Sequence, residues 1–274
     1  ILTASNNLED DDGFTSTTIF EDNFNADPYV NTRWSFFDEA LAINTRPSNW
    51  SFDSSNGRIK QTSNIYATIS DGQGALWGTI AYVNNLGLNT YFTDFQASVH
   101  SGDNDDVGVV ARYSVNTGSH YRFSVRQQTG KAVILRVDNT SNTTTVLSYV
   151  SATYTQNQWF NIRLVVDGNK ITAFKDGVEV LSAIDSTEGG PLPAGTVGLF
   201  TGGNTPTYFD DVVAKGPDIS YQWKRAGDAI SGATSSSYTL TQADVGHEIT
   251  VAVSYTDALS TAESVTSAAT AAAA

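Results

Sequence analysis

From Ser101 to Val125 the chain reads SGDNDDVGVVARYSVNTGSHYRFSV. Val107, Val109, Ala111 and Tyr113 alternate there with Gly108, Val110, Arg112 and Ser114, the period of two that belongs to a strand. A short turn, Asn116–Ser119, leads to a second alternating run, Tyr121, Phe123 and Val125. The stretch predicts a β-hairpin with an acidic run at its mouth. The pattern recurs along the chain. Phe95–Val99 precedes the hairpin, and Lys131–Val137 and Thr143–Val150 follow it as a second one. Trp159–Val166 and Ile171–Phe174 flank the turn Asp167-Gly168-Asn169, and Asp176-Gly177 repeats the turn signal. Thr196–Phe200 and Tyr208–Val213 complete the series, and helical periodicity is nowhere sustained. Short strands separated by turn residues predict an all-β jelly-roll sandwich, two sheets over one core, across residues 14–217.

Residues 218–270 form a different unit. Ile219, Tyr221 and Trp223 alternate with polar neighbours, and so do Ile249, Val251, Val253 and Tyr255 after the Tyr238–Leu240 segment. This is an Ig-like pattern of about 50 residues, short of the ~100 typical of that sandwich. It has no cysteine pair and lacks its first strand, and Trp223 is the expected filling of its core. Residues 1–13, with a strand-like start and the acidic run Asp10–Asp12, bury almost nothing alone.

Composition narrows the functions. A net charge of −14 and a pI near 4.4 over 274 residues exclude a phosphate-neutralising nucleic-acid binder and disfavour anionic lipid. With 40% hydrophobic residues a real core is available. No cysteine is present, so thiol chemistry and thiolate-bound zinc are out of reach. No apolar run approaches a membrane span, which predicts no membrane insertion. The start at Ile1 and the Ala-rich end read as a monomeric piece of a longer extracellular chain.

Three carboxylates and an amide within four residues, Asp103, Asn104, Asp105 and Asp106, repel one another unless a cation sits among them. Calcium takes 6–8 oxygen ligands in flexible geometry and suits such a run, with the second pair, Asp210 and Asp211, as further donors. The alternative is a solvated acidic turn. The same alternatives hold for Asp10–Asp12, either an inter-module calcium site or a free turn. Catalysis lacks its residues: no E-x-D-x-x-E strand or G-x-S-x-G occurs, and the adjacent pairs Glu21-Asp22 and Asp38-Glu39 point to opposite faces of a strand. His100, His120 and His247 form no triad or metal pattern and read as surface residues. The expectation is a protein that binds rather than an enzyme. Candidate contacts come from the loops Gly202–Tyr208, Tyr82–Leu88 and Asp71–Trp77. Trp77, Tyr82 and Tyr208 offer flat apolar surface, and Asn84 and Asn204 offer hydrogen bonds. For each aromatic ring the competing role is core packing.

Two resemblances add to this. ISYQWKRAGDAISGATSSSYTLTQADVGHEITVAVSYTD resembles a tandem Ig-like repeat of giant bacterial surface adhesins, in which text like LTASNNLEDDDG directly precedes ISYQW. It implies that residues 1–13 and 218–270 are one split domain with the jelly roll inserted. Neighbouring chain ends at an antiparallel pair make such an insertion cheap in loop entropy. The stretches SGDNDDVGVVARYSVNTGSHYRFSV, LVVDGNKITAFKDGVEV and GTVGLFTGGNTPTYFDDVVA are similar to concanavalin-like (laminin-G-like) lectin jelly rolls, among them the thrombospondin C-terminal lectin-like module and the ligand-binding domains of RTX adhesins. That likeness implies calcium at Asp103, Asn104, Asp105 and Asp106 with Asp210 or Asp211. It also implies an adhesive role at the bacterial cell surface and, as first ligand, the C-terminal carboxylate of a peptide or protein on a target cell. A glycan is the alternative, and a calcium-stiffened spacer a third reading.

Overall fold

Alternating apolar residues meet across two large antiparallel sheets. A computed structural model describes residues 2–3, 16–26, 32–39, 46–84, 86, 92–141, 143–217, 219–256 and 262–273. The acidic run Asp10–Asp12 and part of the Tyr82–Leu88 loop lie outside the described residues. By contacts the chain divides into two units, Thr18–Gly216 and Ile1–Thr17 with Pro217–Ala274.

In the larger unit, a seven-stranded sheet runs in the order Thr143–Ser151, Lys131–Asp138, His120–Arg126, Asp106–Tyr113, Thr196–Gly202, Thr79–Val83, Trp34–Asp38. The predicted hairpin is there, with Val109 opposite Phe123 and Val107 opposite Val125. The second sheet has eight strands, led by Val178–Ile184, Lys170–Lys175, Trp159–Asp167, Phe92–Ser101 and Thr207–Pro217. Arg58–Gln61 and Trp50–Asp53 follow, and Ser16–Asp22 also pairs with Thr207–Pro217. Val107, Val109, Ala111, Phe123 and Ile134 from the first sheet and Phe95, Val99, Ile162, Leu164 and Phe209 from the second are fully buried in one core. This is the all-β jelly-roll sandwich that period-two alternation dictates.

One feature departs from a half-buried sheet. All eight residues of Asp106–Tyr113 are buried, outer face included. The segment from Ile69 to Gly78 crosses that outer face, where Ile69, Ala75 and the half-buried Trp77 pack on Val133 and Leu135. Its main chain is held by charged side chains of the sheet. Asp106 Oδ2 accepts from Leu76 N at 3.0 Å, Arg122 Nη2 donates to the Leu76 carbonyl at 2.9 Å, and Arg126 Nη1 donates to the Gly74 carbonyl at 2.6 Å. Gly78 has no room for a side chain, since a Cβ there would stand 2.2 Å from the Thr201 carbonyl oxygen.

The smaller unit has a four-stranded sheet built on Ile219–Arg225 paired with Ile249–Thr256. A two-residue strand, Leu2–Thr3, pairs with Ser237–Tyr238. Trp223 is buried with Ile249, Val251 and Val253, stacks on Tyr238 and donates its indole N–H to the Ser235 carbonyl at 2.8 Å.

Candidate functional site

The acidic run expected to hold calcium is pulled apart by the alternation of its own strand. Asp106 begins the Asp106–Tyr113 strand with Val107 facing the core, so its carboxylate lies on the outer face, buried against Leu76 N. Burial raises its pKa, and the nearby Arg122 guanidinium opposes that. Asp105 is bound by Arg126, whose Nε and Nη2 both reach Oδ1, at 3.0 and 2.6 Å. Asp103 Oδ1 accepts from the Asn104 backbone at 2.8 Å, and the Asn104 carbonyl accepts from Gln128 N at 2.7 Å. Tyr154 ties the loop from inside by donating to the Asp103 and Asp105 carbonyls. Asp210 and Asp211 are not brought to this loop. They sit on the outer face of the eight-stranded sheet, with the core between them and Asp106. Among the described residues no three acidic or histidine side chains converge on one point. This donor set does not fit calcium: its carboxylates are separated, and two are already engaged.

The proposed ligand contacts mostly have internal partners. Tyr82 stacks on Tyr113 with ring centroids 4.8 Å apart, and Asn84 Nδ2 donates to the Thr32 carbonyl at 2.7 Å. Asn204 is fully buried. It accepts from Ser101 Oγ at 2.6 Å and donates to the Asp105 carbonyl at 2.9 Å, so it locks the loop and faces no ligand. Trp77 packs in the crossing segment. The surface-residue expectation fails for His120, which has no exposure.

Tyr208 belongs to a different assembly. On the outer face of the eight-stranded sheet, His100 stands opposite both Trp159 and Tyr208 in the ladder, and its ring meets theirs at 5.4 and 5.5 Å. Arg58 lies over Tyr208, 3.9 Å from the ring centroid, and its Nε is ion-paired to Asp53 at 2.9 Å. Trp159 faces outward because Phe160, its neighbour, is a core residue, and 44% of its surface is exposed. A groove of about 450 Å³ opens here between Asn56, Arg58, Ser98, Trp159, Asn161 and Asp210. Asp211 closes one end.

That end is shaped by a β-bulge. Asp210 is opposite Ser98 but Val213 is opposite Gln96, so one extra residue is inserted. Asp211 takes a left-handed backbone, φ 47°, and is exposed, while Val212 returns to the core. Bulges re-aim side chains and gather near functional sites. Burial, then the neighbouring carboxylates of Asp211 and Asp22, raise the Asp210 pKa, and Arg58 opposes them. Chemically the groove offers one exposed indole, amide and guanidinium donors, and two carboxylate acceptors.

No curated protein matches the chain. Among solved structures, the carbohydrate binding module CBM66 from Bacillus subtilis aligns with a TM-score of 0.51 at 11% identity, over 67% of this chain and 95% of its own. A Bacillus subtilis protein of unknown function with a galectin-like fold aligns with a TM-score of 0.51 at 8% identity, over 73% and 97%. Identity this low makes the likeness one of fold. Residues 45–215 match the sequence family described as the 3-keto-alpha-glucoside-1,2-lyase-like domain, and the chain belongs to that family.

Proposed function

We propose that the jelly roll is a glycan-binding module of an extracellular bacterial adhesin, and that it binds its ligand without cleaving it. The carrying observation is Trp159, an indole left 44% exposed in a groove of planar polar side chains. An indole that is partly exposed at a groove offers a flat apolar face there, and a pyranose presents an apolar face of matching size. Asn161, Arg58, Asp210 and Asp211 surround that ring with donors and acceptors for hydroxyls, as small-molecule sites do. The likeness in fold to a carbohydrate binding module supports the same reading. The peptide-terminus reading requires a calcium ion with an open position, and the Asp105 and Asp106 carboxylates already hold Arg126 and Leu76 N. The smaller unit is proposed to be the Ig-like repeat of such an adhesin, with Leu2–Thr3 as its returning strand.

The test is a glycan array followed by titration of the hits with wild type and Trp159→Ala. Loss of the stacking surface, about 1.5 kcal/mol, lowers affinity roughly tenfold or more with the melting temperature of the jelly roll unchanged. Array hits that bind W159A as tightly as wild type would remove the groove from the function.

A further inference from the structure

The groove at Trp159 continues past Asp211. A second cavity of about 440 Å³ lies on its other side, lined by Glu21, Asp22, Asn23 and Arg33, and Asp211 belongs to both. Each volume falls within the range of a small-ligand site. The junction residue is the one whose backbone is held in the left-handed region, at φ 47°. The bulge thus sets an exposed carboxylate between two adjoining cavities.

The charges in the two cavities are unequal. Each guanidinium has its own acid: Arg58 pairs with Asp53 at 2.9 Å and Arg33 with Asp22 at 3.4 Å. Arg33 also donates to the Glu21 carbonyl at 2.7 Å. Nearby, Lys175 pairs with Asp176 at 2.6 Å. Among the described residues that line the two cavities, Asp210, Asp211 and Glu21 have no ion-pair partner, and the only cations of the lining, Arg58 and Arg33, are both paired. Three unmatched carboxylates leave the double groove negative, and the Trp159 ring, whose centroid Arg58 already approaches to 5.8 Å, attracts cations to its face as well.

We propose that the two cavities are consecutive subsites for a linear oligosaccharide carrying free amino groups, with an ammonium seated against Asp210 and Asp211 and a pyranose face on Trp159. This rests on the glycan-binding reading above and names its ligand class. An amine at about 4 Å from a carboxylate gains about 1 kcal/mol even at the dielectric of water. Two such carboxylates give about a thirtyfold preference over a neutral sugar of the same shape. Acetylating the amine removes its charge, and uronates are repelled.

The experiment is calorimetric titration of the full chain at pH 6 and low salt with three β-1,4-linked hexamers: glucosamine, N-acetylglucosamine and glucose. The glucosamine hexamer is expected to bind about thirtyfold more tightly than the other two, with the ratio shrinking as salt rises. Its dimer should bind more weakly, because it cannot fill both cavities. Asp211→Asn keeps a residue tolerant of the left-handed backbone and deletes the charge. It should cut the preference for the glucosamine hexamer over the glucose hexamer to about fivefold. If D211N keeps the full amine preference, the preference comes from the net charge of −14 and the proposal is overturned. Equal affinity for glucosamine and glucose hexamers, both lost in W159A, overturns the proposal and leaves the glycan-binding reading standing. An array on which no glycan binds takes both down.

Discussion

His120 shows how a side chain far from the groove governs the molecule's response to acid. Its Nδ1 lies 2.8 Å from the Gly118 carbonyl, which fixes the hydrogen there and leaves Nε2 with a lone pair. Nε2 faces Glu39 Oε1 at 3.8 Å, and neither atom has a hydrogen-bond partner among the described residues. Arg122, 3.2 Å from the other Glu39 oxygen, and the Tyr113 ring complete its surroundings. Burial first, and Arg122 second, lower the His120 pKa to about 3, and the Gly118 carbonyl opposes them. The folded chain therefore refuses a proton that the unfolded chain accepts below its ordinary value near 6.5. Stability falls as pH drops through that value, by about 1.4 kcal/mol per pH unit. Burial raises the Glu39 pKa, so its own contribution runs the opposite way in acid. The difference between wild type and His120→Gln isolates the histidine. Denaturant melts from pH 6.5 to 5 should show wild type losing about 2 kcal/mol relative to H120Q. Parallel profiles would mean that His120 already accepts a proton in the fold. Nothing local in the sequence announces this pair, because residues 39 and 120 meet only when the Trp34–Asp38 and His120–Arg126 strands share a sheet. Trp159 is the reverse case. Phe160, Ile162, Leu164 and Val166 alternate as core residues, which places Trp159 on the opposite face by counting alone. Of the rings expected from loops, only Tyr208 lies beside the groove, under Arg58 and against His100, and none lines it.

At the scale of elements, alternation reveals strands and their inward faces, and it is silent about what covers the outer faces. The Asp106–Tyr113 and His120–Arg126 strands were legible as a hairpin; the Ile69–Gly78 segment lying over them was not. Its hold depends on charges contributed by separate strands, set by cross-strand register such as Asp106 opposite Arg126. The same register explains the acidic loop. Arg126 reaches Asp105 because the hairpin brings residue 126 back to the strand's start, so the cation expected among those carboxylates is an arginine. Added calcium then finds no unpaired cage. A site with a dissociation constant of about 10⁻⁴ M in 10 mM calcium would contribute about 2.7 kcal/mol. For a unit of this size that is a shift of roughly 5–10 °C. Thermal melts in calcium and in EDTA, matched in ionic strength with magnesium, are expected to superimpose. A calcium-specific rise of that size would show that the carboxylates rearrange around the ion.

For the whole molecule the question is whether the N-terminal strand belongs to the fold of the C-terminal unit. Leu2 is paired with Tyr238 and Thr3 with Ser237, and Tyr238 stacks on Trp223, the ring at the centre of the small core. Removing Ile1–Thr3 strips the partner from Ser237–Tyr238 and leaves an open edge beside that stack. The larger unit has its own indole reporters. Trp34 Nε1 donates to Asp22 at 2.9 Å, and Trp50 Nε1 donates to Thr79 at 2.9 Å. Three hydrogen-bonded indoles in two cores therefore give separate NMR signals for the two units in one sample. Without residues 1–3, the Trp223 indole resonance should disappear at a lower temperature than in the full chain, while those of Trp34 and Trp50 keep theirs. An unchanged Trp223 midpoint would mean that the terminal strand is an ornament on a unit complete without it. A common shift of all three would mean that the units unfold together, because domains coupled in unfolding do not melt one at a time. Displacement of Trp223 alone assigns the two ends of the chain to one cooperative unit, with the jelly roll between them.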